Sequence, residues 1–112
     1  MSTVAPPFVT QLRTRGAPIQ LAPAGAADAI TIRVEVPEIW DVQAFVVRAG
    51  ESVVSLKQQA LAHLYPQAAS HEDFVLKFRG WEVLDEQASL ATVGVRNGSI
   101  LLLTHRRRRA VR

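Results

Sequence analysis

The sequence predicts an α+β domain in which a mixed sheet of four to five strands packs on one helix. Three patterns carry that expectation. Ile30-Thr-Ile-Arg-Val-Glu-Val36 alternates apolar and polar residues with the period of a half-buried strand. Val53, Leu56, Ala60 and Leu64 fall on one helical stripe, with Lys57, Gln58 and Gln59 between them. Ile100-Leu-Leu-Leu-Thr104 is nearly continuous in apolar character, which suits a strand flanked on both edges.

Residues 1–29 come first and contain Pro6, Pro7, Pro18 and Pro23 with Gly16 and Gly25. Proline at that density permits neither a long helix nor a paired strand, so a mobile tail is expected. Phe8-Val9 and Ile19-Gln-Leu21 are short apolar pieces in it that can dock elsewhere. Pro37 ends the first strand, and after a turn a second strand over residues 42–48 directs Phe45 and Val47 to the core, making a hairpin. Gly50-Glu51 breaks that strand, Ser52 is placed to cap the helix, and Pro66 ends it.

A polar loop over residues 67–73 leads to a third strand, residues 74–79, with Leu76 and Phe78 inward and Lys77 and Arg79 outward. Gly80-Trp81 turns the chain into a brief fourth strand, Glu82-Val83-Leu84. A long connection follows, anchored by Leu90, Val93 and Val95, and Asn97-Gly98 supplies a tight turn. The last strand points Leu101 and Leu103 inward and is expected to lie centrally, beside the first. The predicted core is Ile32, Val34, Phe45, Val47, Val53, Leu56, Ala60, Leu76, Phe78, Leu90, Leu101 and Leu103.

Composition bounds the rest. A chain of 112 residues with 48% hydrophobic content has room for one domain and little else. It has no cysteine, which removes disulfides, thiolate metal sites and a thiol nucleophile together. His63, His71 and His105 show no ligand spacing, so no metal is expected. No phosphate loop, nucleophile elbow or paired-carboxylate motif is present, so neither catalysis nor a cofactor is expected. There is no signal-peptide pattern and no apolar run of membrane-spanning length, which predicts a cytoplasmic protein. The net charge of +3 divides into +1 for residues 1–29, −3 for residues 30–105 and +5 for residues 106–112. The basic pI therefore comes from the last residues. Two lysines among thirteen basic residues suit a GC-rich bacterial genome.

The Glu51-Ser52 helix start, the Phe78-Arg79-Gly80 turn, Leu84-Asp85 and the run Leu90-Ala-Thr-Val-Gly-Val-Arg-Asn-Gly-Ser-Ile-Leu-Leu-Leu resemble, in order and spacing, a ubiquitin-like β-grasp domain over residues 30–106. Gly94-Val-Arg-Asn-Gly98 also looks like the small bacterial ubiquitin-like proteins of type VII secretion, the YukD/EsaB group. The expected organisation is a tail over residues 1–29, the β-grasp domain over residues 30–106 and a basic tail over residues 107–112. The resemblance implies a non-catalytic protein-interaction module, monomeric on its own, as an accessory subunit of a secretion-like system. Two other roles follow from it: a covalent modifier, or a nucleic-acid adaptor working through the arginines. The positions that match ubiquitin's apolar recognition patch are Lys77, Thr104 and approximately Pro37, so ubiquitin's ordinary readers are not expected to bind. No Gly-Gly occurs anywhere, which counts against conjugation.

The same resemblance places partner binding on the outward face of the third and last strands. The expected partner-binding residues are Lys77, Arg79, Leu102 and Thr104, rimmed by Trp40 and Trp81. Indoles are frequent interface anchors and cations steer an acidic partner. Arg106, Arg107, Arg108, Arg109 and Arg112 form a second candidate, suited to an acidic protein, an anionic membrane surface or nucleic acid.

Overall fold

In the computed structural model, residues 17–68 and 70–106 are described. Six strands form one mixed sheet: β1 (Ile19–Gln20), β2 (Ala29–Val36), β3 (Asp41–Arg48), β4 (Phe74–Phe78), β5 (Trp81–Glu82) and β6 (Ile100–His105), in the spatial order β1-β3-β2-β6-β4-β5. Helix α1 (Val53–Leu64) crosses one face, and a one-turn helix, α2 (Leu90–Val93), lies in the connection before β6. The last long strand does sit centrally. β6 runs parallel to β2, with Val34 opposite Leu101, and antiparallel to β4, with Leu76 opposite Leu103.

Local chemistry explains the boundaries. Ser52 has extended backbone and its side chain accepts from the Ser55 N–H at 3.2 Å, which supplies the cap read from the sequence. The Ser55 hydroxyl in turn donates to the Glu51 carboxylate. The β4–β5 hairpin closes through Arg79 (φ 58°) and Gly80 (φ 85°), two successive left-handed residues that match the twist of the flanking strands.

Alternate residues of each strand face the helix, and the core forms there. Ile32, Val34, Phe45, Val47, Val53, Leu56, Ala60, Leu76, Leu90, Leu101 and Leu103 are all buried, while Phe78 is partly buried at the rim of the cluster. The packing also draws in Val36, Leu61, Leu64, Phe74, Val83 and Val95.

Four differences from the sequence reading have physical causes. The stretch read as a tail does not run to residue 29, because β1 pairs in parallel with β3 and Leu21 and Ala22 both donate to the Val46 carbonyl at 2.9 Å. Pro18 and Pro23 bracket this strand without interrupting it. Residues 1–16 and 107–112, also expected to be tails, lie outside the described residues. Lys57, placed among the polar residues of α1, is fully buried. Its ammonium donates to the Phe74 carbonyl at 3.0 Å and to Glu86 Oε2 at 2.7 Å, so the charge is paired within the fold. The fourth of the expected strands begins one residue early and is β5, Trp81–Glu82, leaving Leu84 83% exposed. With β1 added, the sheet has six strands rather than four to five.

Candidate functional site

The side of the sheet away from α1 is an open face whose rows follow from the register. Its middle row runs Val42, Glu35, Leu102, Lys77, Glu82 across β3, β2, β6, β4 and β5. On one side of it lie Ala44, Arg33 and Ile100, and on the other Thr104 and Val75. Lys77 and Leu102, both expected at the site, are therefore direct cross-strand neighbours. Arg79 follows Phe78, whose partner is Leu101, so it stands beside the Ile100 end of this face.

Ile100, which the sequence reading left out of the site, is 49% exposed. Strand parity could have found it, because Ile100, Leu102 and Thr104 alternate with the inward Leu101 and Leu103. Arg33 and Arg96 were also missed, and no local pattern marks them. Arg33 becomes a neighbour of Ile100 only through the parallel pairing of β2 with β6. Arg96 is brought there by its loop: Gly98 N–H donates to Thr31 O at 2.7 Å, Asn97 Oδ1 accepts from Thr31 N at 2.8 Å, and Ser99 O accepts from Arg33 N at 3.0 Å. Arg79, Arg96 and Ile100 line one shallow open depression. Arg33, Lys77, Arg79 and Arg96 make no ion pair among the described residues, although the Arg79 guanidinium lies 5.5 Å from the Phe78 ring centre.

The opposite end of the face is built differently. Glu38 sits in the 3₁₀ turn Pro37–Ile39, and its carboxylate accepts from the Thr104 hydroxyl at 2.6 Å and from the His105 N–H at 2.8 Å. Burial of Glu38 opposes ionisation, but the hydrogen bonds from His105 and Thr104 outweigh it and hold the carboxyl below its ordinary value. Thr104 thus serves as a tether for the Trp40 turn, and its hydroxyl is engaged. Arg106 donates to the Glu72 carbonyl at 3.1 Å and approaches Glu82 at 3.4 Å, so it spans the outward side of β4 at Val75. Arg107, Arg108, Arg109 and Arg112 lie outside the described residues.

The two indoles stand toward opposite ends of the strands, and Trp81, expected at the rim of the outward face, is paired with the inward Phe78 and so falls on the helix side by parity. Trp40 (79% exposed) closes the turn that Glu38 ties to Thr104, and Trp81 (78% exposed) opens β5 opposite Phe78. Leu101 and Thr104, which mark the two ends, are three strand residues or about 10 Å apart. Trp40 (φ 55°) and Arg79 (φ 58°) are the only non-glycine residues with positive φ among the described residues. That conformation is costly for an arginine and an outlier for an indole. Among the described residues no cluster of three His, Cys, Asp or Glu side chains could hold a metal, and no helix is long and apolar enough to cross a membrane.

A mixed six-stranded sheet with a single long helix on one face and a parallel central pair is the ubiquitin-like β-grasp fold. The likeness to solved structures is to domains of that kind. A ubiquitin-like domain of an Arabidopsis thaliana protein superposes with a TM-score of 0.61 at 20% identity, covering 82% of this chain and 93% of that one. The C-terminal ubiquitin-like domain of the human 2'-5'-oligoadenylate synthetase-like protein gives 0.60 at 19% identity, covering 79% and 95%. The ubiquitin of Caldiarchaeum subterraneum gives 0.58 at 14% identity, covering 70% and 95%. No protein-family profile matches the chain, and no curated protein matches its sequence.

Proposed function

We propose that this chain is a non-catalytic protein-interaction module whose docking surface is the outward face of β6 and β4 at its Ile100 end. Arg79 carries the reading: a non-glycine residue held at φ 58° in a two-residue turn, its side chain exposed beside an exposed isoleucine. Glycine or asparagine would sit in that turn with less strain, and strained backbone concentrates where a side chain has to be presented. Around it, Arg33, Lys77 and Arg96 offer positive charge with no ion-pair partner among the described residues, and Ile100 and Leu102 offer apolar area. The partner this suits is an acidic protein surface with an aliphatic or aromatic residue at its centre. Charge then steers the encounter while the apolar centre supplies most of the affinity.

Protein is favoured over nucleic acid because Glu35 and Glu82 stand in the same rows as Leu102 and Lys77, where a phosphate backbone would meet them. The finer assignment, an accessory subunit of a bacterial type VII secretion-like system working in the cytoplasm, rests on the Gly94-Val-Arg-Asn-Gly98 segment, which positions Arg96 at the depression.

The test is site-specific photocrosslinking in the native cell. A photoreactive residue at Ile100 should capture a discrete partner that one at Gln58, exposed on α1, does not, and Arg79→Glu should abolish the capture. Equal capture at both positions, or indifference to Arg79→Glu, would remove the face from consideration.

A further inference from the structure

The depression at the Ile100 end of the outward face is lined by two arginines, a serine, two glycines, Phe78 and Ile100, with no acidic side chain among them. The arginines reach it from different elements. Arg79 comes from the β4–β5 turn, and Arg96 from the loop that Thr31 and Arg33 pin to β2. Neither has an ion-pair partner among the described residues. Arg33 stands beside them, across the strand pair from Ile100. Guanidiniums gathered without a counter-charge repel one another, and an anion between them removes that repulsion.

The donors are placed by the fold. The Arg79 guanidinium lies 5.5 Å from the Phe78 ring centre, and that ring is itself part of the lining. Gly94 (φ 104°) leaves the ring edge uncovered, since a β-carbon there would lie 3.6 Å from Phe78 Cε2. Arg96 and Ser99 close a reciprocal turn. The Arg96 N–H donates to Ser99 Oγ at 2.8 Å, and the Ser99 N–H donates to the Arg96 carbonyl at 2.9 Å. Because Ser99 Oγ accepts in this turn, its own proton has no acceptor among the described residues and can donate to a ligand.

Resting on the docking reading above, we infer that this depression is a phosphoryl-binding site, and that it takes a phosphorylated serine or threonine of the partner protein, next to an aliphatic residue that covers Ile100 and Leu102. A phosphomonoester brings a charge of about −1.5 to −2 and three acceptor oxygens. Two guanidinium forks and a hydroxyl supply donors for all three, whereas a carboxylate would set one charge against a pair of arginines. The middle row of the face restricts the site to a single group. Glu35 and Glu82 lie in the row of Leu102 and Lys77, so a run of phosphates crossing the face would meet them. One phosphoryl group at the Ile100 end does not.

The probe is N-acetyl-phosphoserine amide, titrated at neutral pH into the isotope-labelled full-length chain and followed by amide chemical shifts. The shifts should concentrate at Arg79, Gly80 and the Arg96–Ser99 turn. N-acetyl-aspartate amide should bind at least about tenfold more weakly. Arg79→Gln and Arg96→Gln, both exposed, should each weaken phosphoserine binding at least about fivefold with the fold retained in the same spectra. Arg48→Gln, whose charge Asp28 already neutralises, should change it less than about twofold. Equal binding of the aspartate probe, or equal losses in all three variants, overturns the inference. The titration needs no partner, so it fails or holds separately from the crosslinking that tests the docking face. Capture at Ile100, repeated in lysate after phosphatase treatment, should disappear. Capture that survives the phosphatase overturns the phosphoryl site and leaves the docking face standing. No capture under any treatment, with the titration intact, would instead strike the docking reading and the partner as the source of the phosphoryl group.

Discussion

The two faces of this sheet are made by alternate residues of the same strands, yet they have opposite economies. On the helix side, Ile32, Val34, Phe45, Leu76, Leu101 and Leu103 close into one apolar volume with Leu56 and Ala60 of α1. The charge that enters this side, Lys57, is met by the Phe74 carbonyl and Glu86. On the outward side, Arg33, Lys77, Arg79 and Arg96 surround Ile100 with no ion-pair partner among the described residues. A shift of one residue along β6 moves from Leu101, 1% exposed, to Ile100, 49% exposed. Stability resides on one side of the sheet, which leaves the other free to be shaped for something else.

The largest effect should come from the inner face. Leu56→Ala removes a fully buried side chain at the centre of the core and should cost about 2–5 kcal/mol in denaturant unfolding. A loss under about 1 kcal/mol would mean that the core is not where the sheet and helix meet. Lys57→Met, similar in size but uncharged, leaves Glu86 and the Phe74 carbonyl without their donor. It should cost about 3 kcal/mol, the low end for breaking a buried pair, since Glu86 is partly exposed and can regain water. If Lys57→Met is neutral or stabilising, the pair is replaceable by packing.

The turn that carries Trp40 should show a pH signature. The carboxyl of Glu38 is held below its ordinary value in the fold, so its contribution is fully present above the ordinary carboxylate range. It is lost as pH falls through the lowered folded-state value. Melting temperatures of wild type and Glu38→Gln should therefore differ at neutral pH and converge in acid. A gap that widens on acidification would contradict the tether to Thr104 and His105.

Much of the inner face was legible in the sequence, because burial of one side leaves a period. The helix limits, the Ser52 cap and the inward residues of β2, β3, β4 and β6 all follow from spacing. Lys57 was not legible, since a lysine beside two glutamines reads as solvated until Glu86, far along the chain, is seen to reach it. β1 was hidden by its prolines, because a strand of two residues leaves no period. At the outward face, parity put Lys77 and Leu102 on one side of the sheet and the register makes them neighbours, whereas Arg33 and Arg96 join them only through the parallel pairing of β2 with β6 and the pinned loop before β6. No one-dimensional pattern encodes those contacts.

The smallest expected effect on stability is also the most telling measurement. Ile100→Asp should leave the melting temperature nearly unchanged, within about 0.5 kcal/mol of wild-type stability, because it replaces an exposed side chain outside the core. In the same cells where a photoreactive residue at Leu102 captures a partner, adding Ile100→Asp should abolish capture, since an acidic side chain at the centre of a basic patch repels an acidic partner. An unchanged capture, or a loss of stability on the scale of Leu56→Ala, would contradict the separation of the two faces.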